Sequence, residues 1–393
     1  MTESDHPRTV QDLASAIESF APLSLAADWD NVGVIIGSAR RALDGPVLMT
    51  IDLTERVLAE AVKARASCII AYHPPIFHAT KRLTDEEPRQ RIVLRAIQAG
   101  LTVYSPHSAL DAAPGGMTDW LCEGVSGSDE QGRIMGDVRA LEPYGEAPET
   151  QQVKVITFVP QSEADQVRAA LASAGAGIIG KYTVCSFNTT GMGTFLAGDG
   201  ANPTVGEVGN LETVPEVKIE MVCSRAALPV ALEILRQFHP YEEPPIDIVE
   251  LLPRPTRSTG HGRRITLDQP ATLAEVAVRL KRFLGVSMVK VACANPDDRE
   301  GTKTRVNRIG VCPGAGADLV GDALREKCEL FVTGEMRYHE VIDCLNKGMS
   351  VMLAGHTNTE RGYLVRLADR LAAMLPDVPF RVAKSDITPV VPH

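Results

Sequence analysis

The sequence predicts an α/β fold in which one discontinuous α/β unit is interrupted by a ferredoxin-like α+β domain. Three observations predict it. The runs at 68–72, 101–104 and 351–354 are short and apolar throughout, as in strands buried on both faces of a parallel sheet, and helical patterns separate them. Between residues 151 and 252 the rhythm changes to strand, helix, strand, strand, helix, strand. The histidines and carboxylates that follow the apolar runs divide between the first and third segments and skip the middle one.

In chain order, residues 10–20 carry the spacing of an amphipathic helix, 47–52 read as a strand, 55–66 as a helix, 68–72 as a strand, 89–99 as a helix and 101–104 as a strand, with another helix after Pro114-Gly115-Gly116. Residues 141–150 turn to Pro, Gly and Glu and read as a linker, closing a first half at 1–150. The inserted domain, 151–252, reads as strand 153–159, helix 163–174, strand 182–187, a Gly-rich connection, strand 217–223, helix 226–238 and strand 246–251. A second punctuated stretch, 252–260, opens the other half of the α/β unit, 253–393, with helix 273–283 and strands at 309–312, 330–333 and 351–354.

A chain of 393 residues is long enough for two or three cores, and 44% apolar with 23% charged residues describes an ordinary globular protein. Its 50 acidic against 40 basic residues give a formal charge of -10, so no chain-wide positive field favours a nucleic-acid partner. No apolar run approaches the roughly 20 residues of a membrane-spanning helix. Residues 1–10 are polar and lack the pattern of a secretion signal. Eight scattered cysteines without a CxxC pair suit a reducing cytoplasm.

Ligands of parallel α/β sheets gather at the carboxyl ends of strands. His73, His107 with Asp111, and His356 with Glu360 all fall there, the last two as imidazole and carboxylate four residues apart. Taken alone, one such pair reads as a helix-start carboxylate beside a histidine. Two pairs and a third imidazole behind strand-like runs read instead as a mixed nitrogen and oxygen metal site. Asp52 reads as the N-cap of the helix beginning at Glu55. Residues 29–33 form a polar and aromatic turn that either lines a pocket or serves only as a turn. Residues 310–316 read as a tight turn or a backbone cradle for an anion. Glu335 reads as a helix-dipole carboxylate, with a general-base or ligand-orienting role as the alternative. His78, His239 and His261 read as surface or packing residues.

Trp29-Asp30-Asn31-Val32-Gly33, Tyr72-His73-Pro74-Pro75-Ile76-Phe77, the stretch from Ser105 to Asp111, Thr333-Gly334-Glu335 and the stretch from Gly355 to Gly362 together resemble the Nif-three-like family, whose members are often named GTP cyclohydrolase I type-two homologues. Gly180-Lys181-Tyr182, residues 216–220 and His239-Pro240-Tyr241-Glu242-Glu243-Pro244 resemble the PII-like or CutA-like domain inserted in the longer members. The resemblance implies a toroidal hexamer with a two-metal site facing an internal cavity, its ligands His73, Asp111, His356 and Glu360, with His107 beside them. This chain departs from the family pattern in two places. Tyr72 stands where the bacterial form has a second histidine, and a phenol of pKa near 10 is a poorer ligand at neutral pH. Arg337-Tyr338-His339 follows Glu335 where Ser-His-His is more usual. The expected function is a metal-dependent hydrolase of a nucleotide or related heterocycle, using two zinc, iron, manganese or nickel ions with His107 or Glu335 moving protons. The alternative is a metal carrier or regulatory scaffold whose insert senses a small ligand.

Overall fold

Apolar runs four residues long form the inner strands of a parallel sheet in the computed structural model, which describes residues 7–128 and 132–390. Residues 1–6 of the polar start lie outside that range. The first sheet has the order Gly33–Ile36, Thr102–Ser105, Cys68–Ala71, Val47–Thr50 and Phe380–Val382. Only the Gly33 strand runs antiparallel. Every residue of Val47–Thr50, Cys68–Ala71 and Thr102–Ser105 is buried, which is why these strands show no polar alternation. Helices Glu55–Lys63 and Pro88–Gln98 connect them, the first capped by Thr54, whose hydroxyl accepts from the Val57 N–H at 3.3 Å.

A second sheet has the order Lys290–Ala292, Ser350–Leu353, Leu330–Glu335, Arg305–Ala315, Arg254–Thr272 and Gly136–Glu146. Val47, Ile70 and Tyr104 of the first sheet share one core with Ile265, Ile309, Val332 and Met352 of the second. Arg263 is wholly buried in this unit: its Nε donates to Asp119 at 2.5 Å, and its guanidinium also donates to the carbonyls of Ala112 and Ala113 at 3.2 Å. It thereby fixes the end of the short helix His107–Ala112.

The chain divides into two compact units, one of Met1–Tyr144 with Thr256–His393 and the other of Gly145–Pro255. The protein is thus a mixed α/β fold with several sheets. The smaller unit runs strand Val153–Pro160, helix Ala164–Ser173, strands Phe187–Leu196 and Leu211–Cys223, helix Leu228–Phe238 and strand Ile246–Glu250. Its four strands pair antiparallel in the order second, third, first, fourth. Val155, Val167, Leu171, Ile219, Met221 and Leu235 fill its core.

Four elements differ from the sequence reading. Both stretches read as linkers lie largely in strands, 141–146 in Gly136–Glu146 and 254–260 in Arg254–Thr272. Proline and glycine are tolerated at a sheet edge, and Gly260, at φ +143°, lets the backbones close up: a β-carbon there would lie 2.1 Å from the Glu142 carbonyl. Residues 182–187 are not a strand. Tyr182 bridges back to Ile179 and Val184 sits at φ 58°, so the ladder starts at Phe187. Residues 310–315 continue the strand Arg305–Ala315, with a local bend at Gly314 (φ 61°), rather than forming an anion cradle, and the Gly314 and Gly316 N–H groups are spent on the hydroxyls of Thr359 (2.9 Å) and Thr333 (3.0 Å).

Candidate metal centre

Strand register assembles the site. Thr50 pairs with Ala71 in parallel, and the same offset carried two residues on sets Asp52 beside His73. Gly33 pairs with Ser105 antiparallel, and carrying that register outward sets Asp30 beside Ser108 and His107. Thr333 pairs with Leu353 in parallel, bringing Glu335 to the level of Gly355 and its neighbour His356. Each imidazole therefore meets a carboxylate contributed by the adjacent strand.

The contacts follow that plan. His73 Nδ1 lies 2.9 Å from Asp52 Oδ1, His107 Nδ1 lies 2.7 Å from Asp30 Oδ1, and His356 Nδ1 lies 3.0 Å from Glu335 Oε1. A carboxylate on Nδ1 fixes the tautomer and leaves Nε2 as the free ligand atom. For two of the three, Nε2 turns to the same carboxylate: His73 Nε2 is 3.6 Å from Glu360 Oε2, and His356 Nε2 is 3.4 Å from Glu360 Oε1. The ligand atoms of His73, His356 and Glu360 all lie within 4.8 Å of one another. Glu360 is only 2% exposed and its Oε2 has no hydrogen-bond donor, an expensive arrangement for a carboxylate unless a cation shares it. Gly314 makes room for it, since a β-carbon at that position would lie 2.6 Å from Glu360 Oε1.

The fourth and fifth candidates stand beside this set. The His107 ring centroid is 5.4 Å from that of His73. His107 begins its helix at φ 23°, a backbone conformation costly for a residue with a β-carbon, and Asp30 holds it there while also accepting from the Ser108 N–H (3.1 Å) and the Ser108 hydroxyl. Asp111 Oδ1 accepts from the Tyr72 hydroxyl at 2.6 Å. Three imidazoles thus face Asp30, Asp52, Asp111, Glu335 and Glu360, an excess of negative charge suited to a cation.

Protonation follows from the same contacts. Burial pulls His73 down, but its hydrogen bond to Asp52 and the facing Glu360 carboxylate outweigh that and hold it up at about 10. Asp52 is held below the usual carboxylate range, chiefly by its hydrogen bond to His73. Burial pushes the Asp111 carboxyl up to about 6 against the pull of His107 and Tyr72. Burial, with Asp111 and Glu360 nearby, also pushes the Tyr72 phenol well above its ordinary value.

Asp52 does not cap the helix at Glu55, because Thr54 does; its carboxylate orients His73 instead. Glu335, read first as a helix-dipole carboxylate, orients His356. Asp30 belongs to the turn that the sequence reads as lining a pocket or serving only as a turn, and what joins it to His107 is the antiparallel register of the Gly33 strand, which composition does not reveal. His239 is a packing residue, 6% exposed and bonded to backbone.

The profile of the Duf34/NIF3 (NGG1p interacting factor 3) family matches residues 8–389. A Bacillus subtilis protein named GTP cyclohydrolase 1 type 2 homolog is 33% identical over 346 residues, covering 88% of this chain and 87% of that one. NIF3-like protein 1 of Homo sapiens is 31% identical over 366 residues, covering 92% of this chain and 86% of that one. The crystal structure of a Bacillus cereus protein related to NIF3 is similar over 99% of this chain and 100% of that one, at 28% identity and a TM-score of 0.62. A Staphylococcus aureus structure shares the fold at a TM-score of 0.70 and 22% identity, again over 99% of this chain and 100% of that one.

Proposed function

The chain belongs to the Duf34/NIF3 family, and from that premise we propose that it is a metal-dependent hydrolase acting on a nucleotide or a related flat heterocycle. The observation that carries this reading is the convergence of His73 Nε2, His356 Nε2 and the buried Glu360 carboxylate, with both imidazoles oriented from behind by Asp52 and Glu335. These three would hold one divalent ion. Asp111 is the carboxylate left for a second, its Oδ1 already accepting from Tyr72, and His107 stands beside it with Nε2 free because Asp30 occupies Nδ1. A divalent ion supplies Lewis acidity at such a site.

The chain's own groups divide the remaining work. Glu335 is committed to His356, so the proton-moving role falls to His107: Asp30 on Nδ1 supports positive charge on the ring when Nε2 takes a proton. Asp52 and Glu335 hold the ligand rings against rotation. The nucleotide preference draws on the name carried by the Bacillus subtilis relative. We further propose that residues 145–255 are a ferredoxin-like insert of the PII or CutA kind, a reading supported by their strand and helix order and by the antiparallel pairing of the four strands.

A second reading, a metal carrier, draws on one observation: the Glu335 and His356 side chains are 61% and 34% exposed, which leaves the ion's surroundings open to exchange. One experiment separates the two. Protein loaded in turn with zinc, iron, manganese or nickel is incubated with GTP, and metal content and products are followed together. A new product, lost in Glu360→Gln with the fold intact, supports the hydrolase. Bound metal that exchanges freely with no product from any loaded form removes that reading.

A further inference from the structure

We propose that Trp29 and Phe77 form a stacking shelf for the flat heteroaromatic ring of a ligand beside the three-ligand set, an inference that rests on the metal-site reading above. Trp29 is 62% exposed and Phe77 39% exposed. Their ring centroids are 5.9 Å apart at 50°, a tilted contact in which both rings stay partly in water. Both rings lie against the imidazole of His107, Trp29 at 6.0 Å and Phe77 at 6.3 Å, each nearly edge-on. His107 is in turn 5.4 Å from His73, and His73 is 5.4 Å from His356. A ring resting on Trp29 or Phe77 would therefore present its edge toward His107 and the ligand set.

The shelf is built, not merely left over. The Asn31 side-chain amide donates to the Ile76 carbonyl at 2.6 Å, tying the Trp29 turn to the segment that carries Phe77. The Asn31 N–H donates to Asp30 Oδ1 at 2.7 Å, and that same oxygen meets His107. Farther along the turn, the Ala27 N–H donates to the Ser108 hydroxyl at 3.0 Å and the Ala26 carbonyl accepts from Tyr144 at 2.8 Å. One network thus positions both the proton-moving imidazole and the aromatic pair. A pinned loop that leaves an indole in water retains apolar surface that a planar ligand would cover. Aromatic faces recognise any base of that shape with little demand on its hydrogen-bonding pattern. The neighbouring Asp30, Asn31 and His107 supply the few polar groups that orient a ligand in such a site.

The chain has two tryptophans, and the other, Trp120, is buried, so Trp29 reports on its own surroundings. Full-length zinc-loaded protein is titrated with guanosine and, separately, with base-free inorganic tripolyphosphate, following tryptophan emission alongside calorimetry. Guanosine is expected to quench the emission and tripolyphosphate to leave it unchanged. Trp29→Phe should lose the quench while binding guanosine within a few-fold of the parent, and Trp29→Ala should weaken guanosine about tenfold or more at unchanged zinc content. Guanosine that leaves Trp29 emission unmoved, a Trp29→Ala protein that binds like the parent, or emission that shifts with protein concentration alone as this face pairs with a second copy, would each overturn the shelf. Guanosine that quenches Trp29 in protein unable to hold zinc supports the shelf as a site that forms without the metal, and leaves the hydrolase reading to the product assay above.

Discussion

His73 and His239 are both partly withdrawn from solvent, yet the two units of the molecule use them in opposite ways. In the larger unit, Asp52 and Glu360 flank His73 with negative charge and hold its proton up to about 10. In the smaller unit, burial pulls His239 below its ordinary value, and backbone satisfies both ring nitrogens: Nε2 donates to the Phe158 carbonyl at 3.0 Å and Nδ1 accepts from the Tyr241 N–H at 3.1 Å. The difference teaches that burial does not make a histidine a ligand. What matters is which ring nitrogen its neighbours leave free and what charge surrounds it.

The largest expected effect sharpens the metal side of the comparison. His356→Ala removes one of three converging ligand atoms and should abolish stoichiometric metal in elemental analysis, whereas His239→Gln should leave metal content at the parent level. Equal metal in both variants would erase the distinction. Arg263→Met tests how the His107–Ala112 helix is held, since it strips Asp119 of its wholly buried partner. It should cost about 3–5 kcal/mol in urea unfolding, and a loss under about 1 kcal/mol would show that the guanidinium is dispensable. Asp52→Asn keeps the shape but removes the charge behind His73, and should weaken metal affinity about 10- to 100-fold in competition with a chelator.

The smallest effect concerns pH, and the two histidines carry opposite signs. Above its ordinary value near 6.5, His239 is neutral in both folded and unfolded chains and its contribution is intact. As pH falls through 6.5 the unfolded chain takes the proton first, so stability is lost toward acid. For metal-free His73, raised to about 10, the contribution is full below 6.5 and lost as pH rises toward 10. Hydrogen exchange at the Tyr241 amide should therefore quicken between pH 7 and 5.5, after correction for intrinsic rates, and His239→Gln should flatten that change. A pH-independent Tyr241 amide in the parent would count against this account of His239.

Residues buried on both sides announced themselves in the sequence, because the strand Cys68–Ala71 holds no residue that seeks water and Thr102–Ser105 shows no alternation of charged with apolar residues. The strand Phe187–Leu196 did not, since nearly every residue in it is exposed and its apolar residues, Phe187, Met192, Phe195 and Leu196, follow no alternation of period two. Gly136–Glu146, an edge strand, and its neighbour Arg254–Thr272 were masked by their glycines and prolines. At the site, His73, His356 and Glu360 stood out by their place behind strands. Asp30 and Asp52 did not, because what joins them to His107 and His73 is pairing between strands far apart in sequence. Turn and capping chemistry explained the same residues equally well until register was known.

Anomalous diffraction at the absorption edge of zinc, on crystals of the zinc-loaded chain, tests the central claim most directly. The account predicts a peak roughly 2.0–2.2 Å from His73 Nε2, His356 Nε2 and a Glu360 carboxylate oxygen. A fully loaded protein whose anomalous density lies away from these three residues would contradict it.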